Sequence, residues 1–244
     1  MEYLLIIGAK SDIAKEIAKT YAENNYNLYL AGRNIEELVT LVKDIKVRAA
    51  NVKVILKEFD ITDFNSHAEF FNALNPKPKG ILIASGYMAP QNVCEIDFVK
   101  TQNTINVNYL GAVSILNIAA IYFEQQKDGF IIGISSVAGD RGRKNNYIYG
   151  SSKAAFSIYL SGLRNKLHAS NVHVLTVKPG FVNTKMIKNL TTPDFLTAEP
   201  ETVAKEIFHA QQLNKNILYT ASIWRLIMLI IKIIPEWQFK KMNI

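Results

Sequence analysis

Cysteine is almost missing from this chain of 244 residues. A lone Cys94 leaves no internal disulfide and no cysteine-based zinc cluster, and it fits a reducing compartment. The four histidines (His67, His168, His173 and His209) show no ligand-like spacing beyond His168 and His173. Those two straddle a predicted helix end and read as surface residues, so no metal site is expected. The chain also lacks a Pro/Gly/Ser-rich linker, a repeat and a low-complexity tract. One domain is therefore expected over 1–221, with an apolar and basic extension at 222–244 belonging to it. At the amino terminus "MEYLLIIG" has no basic n-region or small-residue cleavage site, so no secretion signal is expected. The Lys and Arg behind the net charge of +7 are scattered, without an aromatic stacking platform, which argues against nucleic acid. Anionic small molecules or an anionic membrane surface explain that charge equally well.

What is present is apolar sequence, 49% of the chain, enough for a large core. Apolar runs of strand length recur at 3–7, 27–31, 53–59, 80–84, 129–135, 173–177 and 216–219. Helix-length amphipathic stretches separate them. "DIAKEIAKTYAENN" repeats Ile13, Ile17 and Tyr21 on one helical face, and "NIEELVTLVKDI" does so with Ile35, Leu38, Val42 and Ile45. Asn34 is placed as the N-cap of the second helix, with Glu37 three residues on as its capping-box partner. Near-continuous apolar strands alternating with helices predict an α/β fold: a doubly wound, Rossmann-like parallel sheet of about seven strands with helices on both faces. Ligands of such sheets bind at the carboxyl ends of the strands, so chemistry is expected just after them.

The segment "GFIIGISSVAGDRGRKNNYIYGSSKAAF" carries the densest signal. Tyr149 and Lys153 fall at i and i+4 at the start of a predicted helix, which places phenol and ammonium on one face. A nearby cation lowers a tyrosine pKa, and a hydroxyl from the adjacent strand end can hold a substrate oxygen beside the phenol. A Tyr-x-x-x-Lys pair alone is a common surface pair. Here it follows "ISSVAG" inside a nucleotide-binding pattern, and the chain resembles the short-chain dehydrogenase/reductase family over nearly its full length. The family's serine lies thirteen positions ahead of its tyrosine, which selects Ser136 and Tyr149 over Ser135 and Tyr147. "INVNYLGA" matches the family's asparagine at Asn108, and "VKPGFVNTKM" matches the segment after its sixth strand. The resemblance implies that Tyr149 protonates a substrate oxygen as hydride arrives and that Ser136 hydrogen-bonds that oxygen. Lys153 would lower the tyrosine pKa and hold the nicotinamide ribose, while Asn108 would anchor a proton-replenishing water. Pro179, Gly180, Val182 and Thr184 would border the nicotinamide, and a homo-oligomer is implied.

The first β-turn-α unit should hold the pyrophosphate on backbone amides. The family spaces this loop Gly-x-x-x-Gly-x-Gly, whereas here the three places hold Gly8, Asp12 and Ala14. Asp12 is the marked departure. It is expected to turn its carboxylate onto the helix's free amides as an N-cap, with Lys10 offsetting its charge. Ser11 and Ile13 belong to the same expected cofactor site. The end of the second strand reads "LYLAGRN", with Arg33 and no carboxylate. Arg33 and Lys10 together point to NADP(H) rather than NAD(H), because an acid there would repel a 2′-phosphate. By the resemblance, Asp60 contacts the adenine and Ile61 packs on its ring. Gly86 is kept from the family's Asn-Asn-Ala-Gly run, but the asparagines are replaced by Ile83 and Ala84.

Two further features bear on the substrate. Arg141, Arg143 and Lys144 lie between Ser136 and Tyr149, and Lys185 and Lys188 follow Gly180. They suit a phosphate or diphosphate, although a solvated charged loop is an equal explanation. The run 223–234, broken by Arg225 and Lys232, is too short for a spanning helix of roughly 20 residues. With Trp224, Trp237, Phe239, Lys240 and Lys241 it suits a helix at 222–241 lying in a membrane interface, against the alternative of a core or subunit contact. "IGAKSDIA", "AGRN" and "SSVAGDRGR" are most similar to bacterial reductases that complete the 2′-epimerisation of polyprenyl-phosphate ribose. That resemblance implies a phosphorylated, lipid-linked keto-sugar substrate in cell-envelope polysaccharide synthesis, with a flavin oxidase as pathway partner. It also implies a cytoplasmic enzyme peripheral to the inner membrane face. Alternatives are a reductase of 3-keto lipid or fatty acyl substrates and a catalytically idle NADP-binding regulator.

Overall fold

The computed structural model describes residues 1–188 and 192–242, so the last two residues of the 222–244 extension lie outside it. Seven strands form one parallel sheet: β1 (Tyr3–Ile7), β2 (Asn27–Gly32), β3 (Val54–Glu58), β4 (Gly80–Ile83), β5 (Gly129–Ile134), β6 (Val172–Pro179) and, at the far edge, β9 (Ile217–Thr220). A separate two-stranded piece, β7 (Phe181–Val182) and β8 (Thr197–Ala198), follows β6. The order β3-β2-β1-β4-β5-β6-β9 puts the reversal of winding between β1 and β4. That is where the sheet opens a crevice at its carboxyl edge.

Strand period sorts the core into two layers. On β1, Leu4 and Ile6 pack on one face of the sheet, and Tyr3, Leu5 and Ile7 on the other. Leu82, Ile132 and Leu175 join the first layer, under α1 (Asp12–Glu23), α2 (Val39–Arg48) and α8 (Pro200–Gln212). Ile81, Ile83, Ile131 and Val174 join the second, under α3 (His67–Asn72), α6 (Gly111–Gln126) and α7 (Tyr147–Leu167). Both faces are covered over the inner strands, which is why β1, β2, β4 and β5 are buried along their whole length rather than alternating.

The helix pair α4 (Gln91–Ile96) and α5 (Phe98–Ile105) leads into a π-helical turn, Asn106–Leu110, that runs straight into α6. The continuous stretch Phe98–Gln126 is long and apolar enough to cross a membrane. Its Ile115, Leu116, Ala119 and Phe123 are instead buried against the sheet, which accounts for the apolar composition. The chain ends in α9 (Ile223–Ile233) and α10 (Glu236–Phe239), joined at Pro235.

The Asn34 cap does not form. Asn34 adopts a left-handed conformation with φ of 52° and makes no side-chain cap bond. Its amide and that of Ile35 are accepted by the Glu58 carboxylate at 2.9 and 3.3 Å. Gly32 and Glu58 are register partners across β2 and β3, so the acid that caps this turn comes from the neighbouring strand. The turn itself is a 3-10 segment, Ile35–Leu38, ahead of α2.

Candidate active site

The carboxyl ends of β1, β4, β5 and β6 and the start of α7 enclose a cavity of about 790 Å³. Strand β5 stops at Ile134 and leaves two serines with opposite fates. Ser135 is buried and spends its hydroxyl on the Lys153 carbonyl, at 2.9 Å, and on Ser157. Ser136 faces the cavity, and its Oγ accepts from the Ala138 amide at 3.1 Å. Tyr149 and Lys153 enter from the first turns of α7, with Lys153 Nζ 5.8 Å from the Tyr149 ring centre. Gly139 permits this docking, because a Cβ there would lie 2.7 Å from the Ala154 amide nitrogen.

The electrostatics differ from the sequence expectation in one respect. Burial pushes the Tyr149 phenol up to about 12, and the Ser136 hydroxyl beside it only moderates that rise. The phenol is therefore a held proton at neutral pH rather than a pre-formed phenolate. Burial also draws Lys153 down to about 8, although its Nζ donates to the Ile134 carbonyl at 3.0 Å. The ammonium is thus poised to lose charge just above neutrality.

Asn108 stands apart from the cavity lining. It is buried in the π turn, and its side chain is committed to the Tyr87 backbone: Oδ1 accepts from the amide at 2.8 Å, and Nδ2 donates to the carbonyl at 2.9 Å. Nδ2 also donates to Ser152 Oγ at 3.0 Å, on the helix that carries Tyr149 and Lys153. Asn108 thereby ties the loop after β4 to α7.

The far end of the cavity is built for an anion. Gly8 sits at φ +81°, and a Cβ there would come within 2.5 Å of the Ser85 nitrogen, so this turn requires glycine. The amides of Asp12 and Ile13 open α1 beside the cavity and have no protein acceptor among the described residues. The N-cap is Ser11, whose Oγ accepts from the Ala14 amide at 3.1 Å, and this corrects the expectation for Asp12. The Asp12 carboxylate reaches across the cavity mouth to the Lys185 amide at 2.9 Å and lies 3.6 Å from Lys15. Lys10 does not offset it, because Lys10 pairs with Glu37 at 2.7 Å.

Arg33 and Asp60 come together at the same end, 3.7 Å apart, with the Arg33 side chain 69% exposed. The other Asp60 oxygen accepts from the Thr62 amide and hydroxyl at 2.9 and 2.7 Å, which helps hold its carboxyl low. Ile61, Gly86, Pro179, Gly180, Val182 and Thr184 all line the cavity, as do Lys10, Ser11, Asp12 and Ile13. Gly180 lies under the Trp224 indole, which closes the cavity from α9. A turn that only glycine can make, free amides at a helix start and two cations can hold a dinucleotide along this wall.

The five loop cations divide. Arg141 is not free for a ligand. It donates to the carbonyls of Ile231 and Ile234 at 2.6 Å each, pairs with Glu236 at 2.9 Å and lies 3.8 Å from the centre of the Phe239 ring. Lys144 is exposed outside the cavity, whereas Arg143 and Lys185 line it. Lys188 lies beyond it. Asn146 and Met186 also line the cavity without having stood out in the sequence, and Trp224, expected as a membrane-interface anchor, is instead buried in the cavity wall. Trp224 had a signal, its place on the apolar run, but that run does not say which face turns inward.

A doubly wound sheet with Ser136, Tyr149 and Lys153 at its carboxyl edge defines a dehydrogenase-type site. The chain matches the short chain dehydrogenase family over residues 2–194, and it belongs to that family. It is accordingly an oxidoreductase that works between an alcohol and a carbonyl. An uncharacterized oxidoreductase of Mycobacterium tuberculosis is 29% identical over 242 residues, covering 98% of this chain and 96% of the relative. One from Staphylococcus aureus is 26% identical over 216 residues, 87% of this chain and 92% of the relative. Among solved structures, a short-chain type dehydrogenase/reductase from Mycobacterium ulcerans superposes with a TM-score of 0.82 at 21% identity, over 92% of this chain and 90% of that one. A Sphingobium yanoikuyae short-chain dehydrogenase in complex with NADPH gives 0.79 at 19% identity, over 97% of both chains.

Proposed function

We propose that the protein is an NADPH-dependent ketone reductase whose substrate is a keto sugar on a phosphorylated polyprenyl carrier, made for the cell envelope. The observation that carries the reductase half is the shared cavity: Ser136, Tyr149 and Lys153 line one end, and the open start of α1 with Lys10 and Arg33 lines the other. Arg33 is largely exposed, and Lys10 is held only by a surface pair with Glu37. Such pairs are weak, so both cations are available to a 2′-phosphate. The NADPH bound by the Sphingobium structural neighbour supports the same choice.

NADPH, when bound, supplies hydride. The residues of this chain supply the rest. Ser136 Oγ hydrogen-bonds the substrate oxygen, and Tyr149, held protonated by burial, gives that oxygen its proton. Lys153 stabilises the phenolate left behind and would hold the nicotinamide ribose, while its bond to the Ile134 carbonyl fixes its direction. Asn108, with its side chain spent on Tyr87 and Ser152, positions the wall between β4 and α7.

The lipid half rests on α9. This helix buries Trp224 and Met228 against Val137 and Phe181 and leaves Leu226, Leu229, Ile230 and Ile233 exposed on its outer side. Arg225, Lys232, Lys240 and Lys241 flank that apolar surface. An apolar stripe edged by cations beside the substrate end suits an enzyme resting on the cytoplasmic face of an anionic bilayer. The exposed Leu110, Ile121 and Ile158 on α6, its π turn and α7 support a second copy as partner there. The apolar Trp224, Met186 and Phe181 of the cavity also suit a 3-keto acyl chain, which is the second reading. Incubation with NADPH and a polyprenyl-phospho-2-keto-pentose, beside a short 3-keto acyl thioester, separates the two. Cofactor oxidation with the keto sugar is expected. Turnover of the thioester alone would transfer the function to acyl reduction.

A further inference from the structure

Among the described residues, five buried side-chain polar atoms lack a hydrogen-bond partner, and two of them belong to residues lining the active-site cavity: Arg143 Nε and Asn146 Oδ1. Both come from the loop between Ser136 and Tyr149. Arg143 Nη2 rests 3.2 Å from Met228 Sδ, a weak acceptor that does little for a guanidinium. Among the described residues, no carboxylate lies within ion-pair distance of it. The nearest in sequence, Asp140, is occupied by Lys178 and by the Tyr219 hydroxyl at 2.7 Å. The contrast with Arg141, two residues earlier, is informative, because Arg141 is saturated by carbonyls, a carboxylate and an aromatic face.

Asn146 repeats the pattern with an acceptor. It occupies the N-cap position of α7, where an asparagine side chain ordinarily accepts from a first-turn amide. It makes no such bond. Its backbone carbonyl accepts from Gly150 at 2.7 Å, and its Oδ1 is left unpaired. A buried donor and a buried acceptor are expensive to leave unmet, and native structures keep few of them. Here both stand three residues apart on the loop that carries Ser136 at one end and Tyr149 at the other.

We propose that Arg143 and Asn146 form a substrate subsite for an oxyanion, phosphoryl or carboxylate, with a neighbouring hydroxyl. The Arg143 Nε–H donates to the oxyanion, and Asn146 Oδ1 accepts from the hydroxyl. The subsite rests on the reductase reading, since it sets the oxyanion and hydroxyl beside the carbonyl that Tyr149 protonates. It narrows that reading to polyoxygenated, anionic ketones and makes the loop 137–146 the discriminating element. A plain aliphatic ketone would leave both groups unmet, and substrates of that kind are penalised heavily by sites built to pair.

The test is calorimetric titration of glycerol phosphate and of glycerate, with neutral glycerol as the blank, into the protein with and without saturating NADP+. At least one anion is expected to bind, and the one that binds identifies the oxyanion as phosphoryl or carboxylate. Arg143→Met should weaken it about tenfold or more, and Asn146→Leu severalfold, in line with loss of a charge-assisted and a neutral bond. Exposed Lys144→Met should leave it unchanged. NADP+ affinity measured on the same variants reports that each is folded. If neither anion binds, if affinity survives Arg143→Met, or if Lys144→Met weakens it as much, the subsite is wrong. Failure of the reductase reading shows separately, as absent NADP+ binding by the parent protein, while titration of the cofactor-free protein still decides the subsite.

Discussion

Asp12 stands where a bare glycine would expose the most backbone to an anion, yet its carboxylate faces the Lys185 amide across the cavity mouth. A hydrogen bond to a charged group at a partly exposed site is worth about 1 kcal/mol, or roughly a fivefold effect. Asp12→Gly is therefore expected to speed amide exchange over 183–188 and to raise the KM for ketone severalfold, with NADPH affinity little changed. A collapse of cofactor affinity with the segment still protected would place Asp12 on the nucleotide instead. Lys153 makes a second residue-level claim, through pH. Its pKa falls from 10.5 in the unfolded chain to about 8 in the fold, so the unfolded state binds the proton more tightly. Stability should then rise as pH climbs from about 8 to 10.5, and urea titrations of Lys153→Met should lack that rise. Tyr149 acts in a higher window and with the opposite sign. Its raised pKa favours the folded state below 10, a contribution lost by about 12. Neither shift was legible in "YGSSK", because spacing reveals that two groups share a face and not how deeply the face is buried.

The inner sheet strands could be located from composition because they are buried on both faces, which leaves long apolar runs with turn residues between them, while the half-buried edge strands β3 and β9 show shorter runs. Their ends moved by a residue or two. Strand β6 runs on through Lys178 and Pro179, two residues past its last apolar position. The β7–β8 pair, two residues in each strand, carries no such run and leaves no strand signature in the sequence. The capping box at Asn34 failed for a tertiary reason: Glu58, adjacent only across the sheet, takes the Asn34 amide that Glu37 would have accepted, and Asn34 itself is left-handed. The same holds for Arg141, which reads as a loop cation and acts as the C-terminal cap of α9, accepting the role that a helix end offers to a cation. Arg141→Ala is expected to free α9 and α10 at a cost of roughly 2–3 kcal/mol, seen as faster proteolysis within 223–242 ahead of global unfolding. Unchanged protection there would mean that Trp224 and Met228 alone hold the tail.

At the scale of the whole molecule, one cavity joins three regions far apart in sequence: the α1 start, the β5–α7 loop and the tail helix that roofs the substrate end. The family residues were legible because chemistry restricts them to few residue types at set intervals, whereas Trp224 and Asn146 enter only through packing. On the proposed reading, the exposed outer face of α9 would turn the substrate end toward the bilayer. Leu226→Asp with Ile230→Asp should abolish co-sedimentation with anionic vesicles without altering NADPH affinity, since both side chains are exposed. Retained sedimentation would send that face to a protein partner. The most direct test of proton donation by a buried phenol is Tyr149→Phe, assayed for NADPH oxidation in the presence of ketone with cofactor affinity measured by fluorescence in parallel. The expected result is a loss of about 10³-fold or more in turnover with NADPH affinity kept, the scale of a missing general acid. Turnover within a few-fold of the parent enzyme would contradict it.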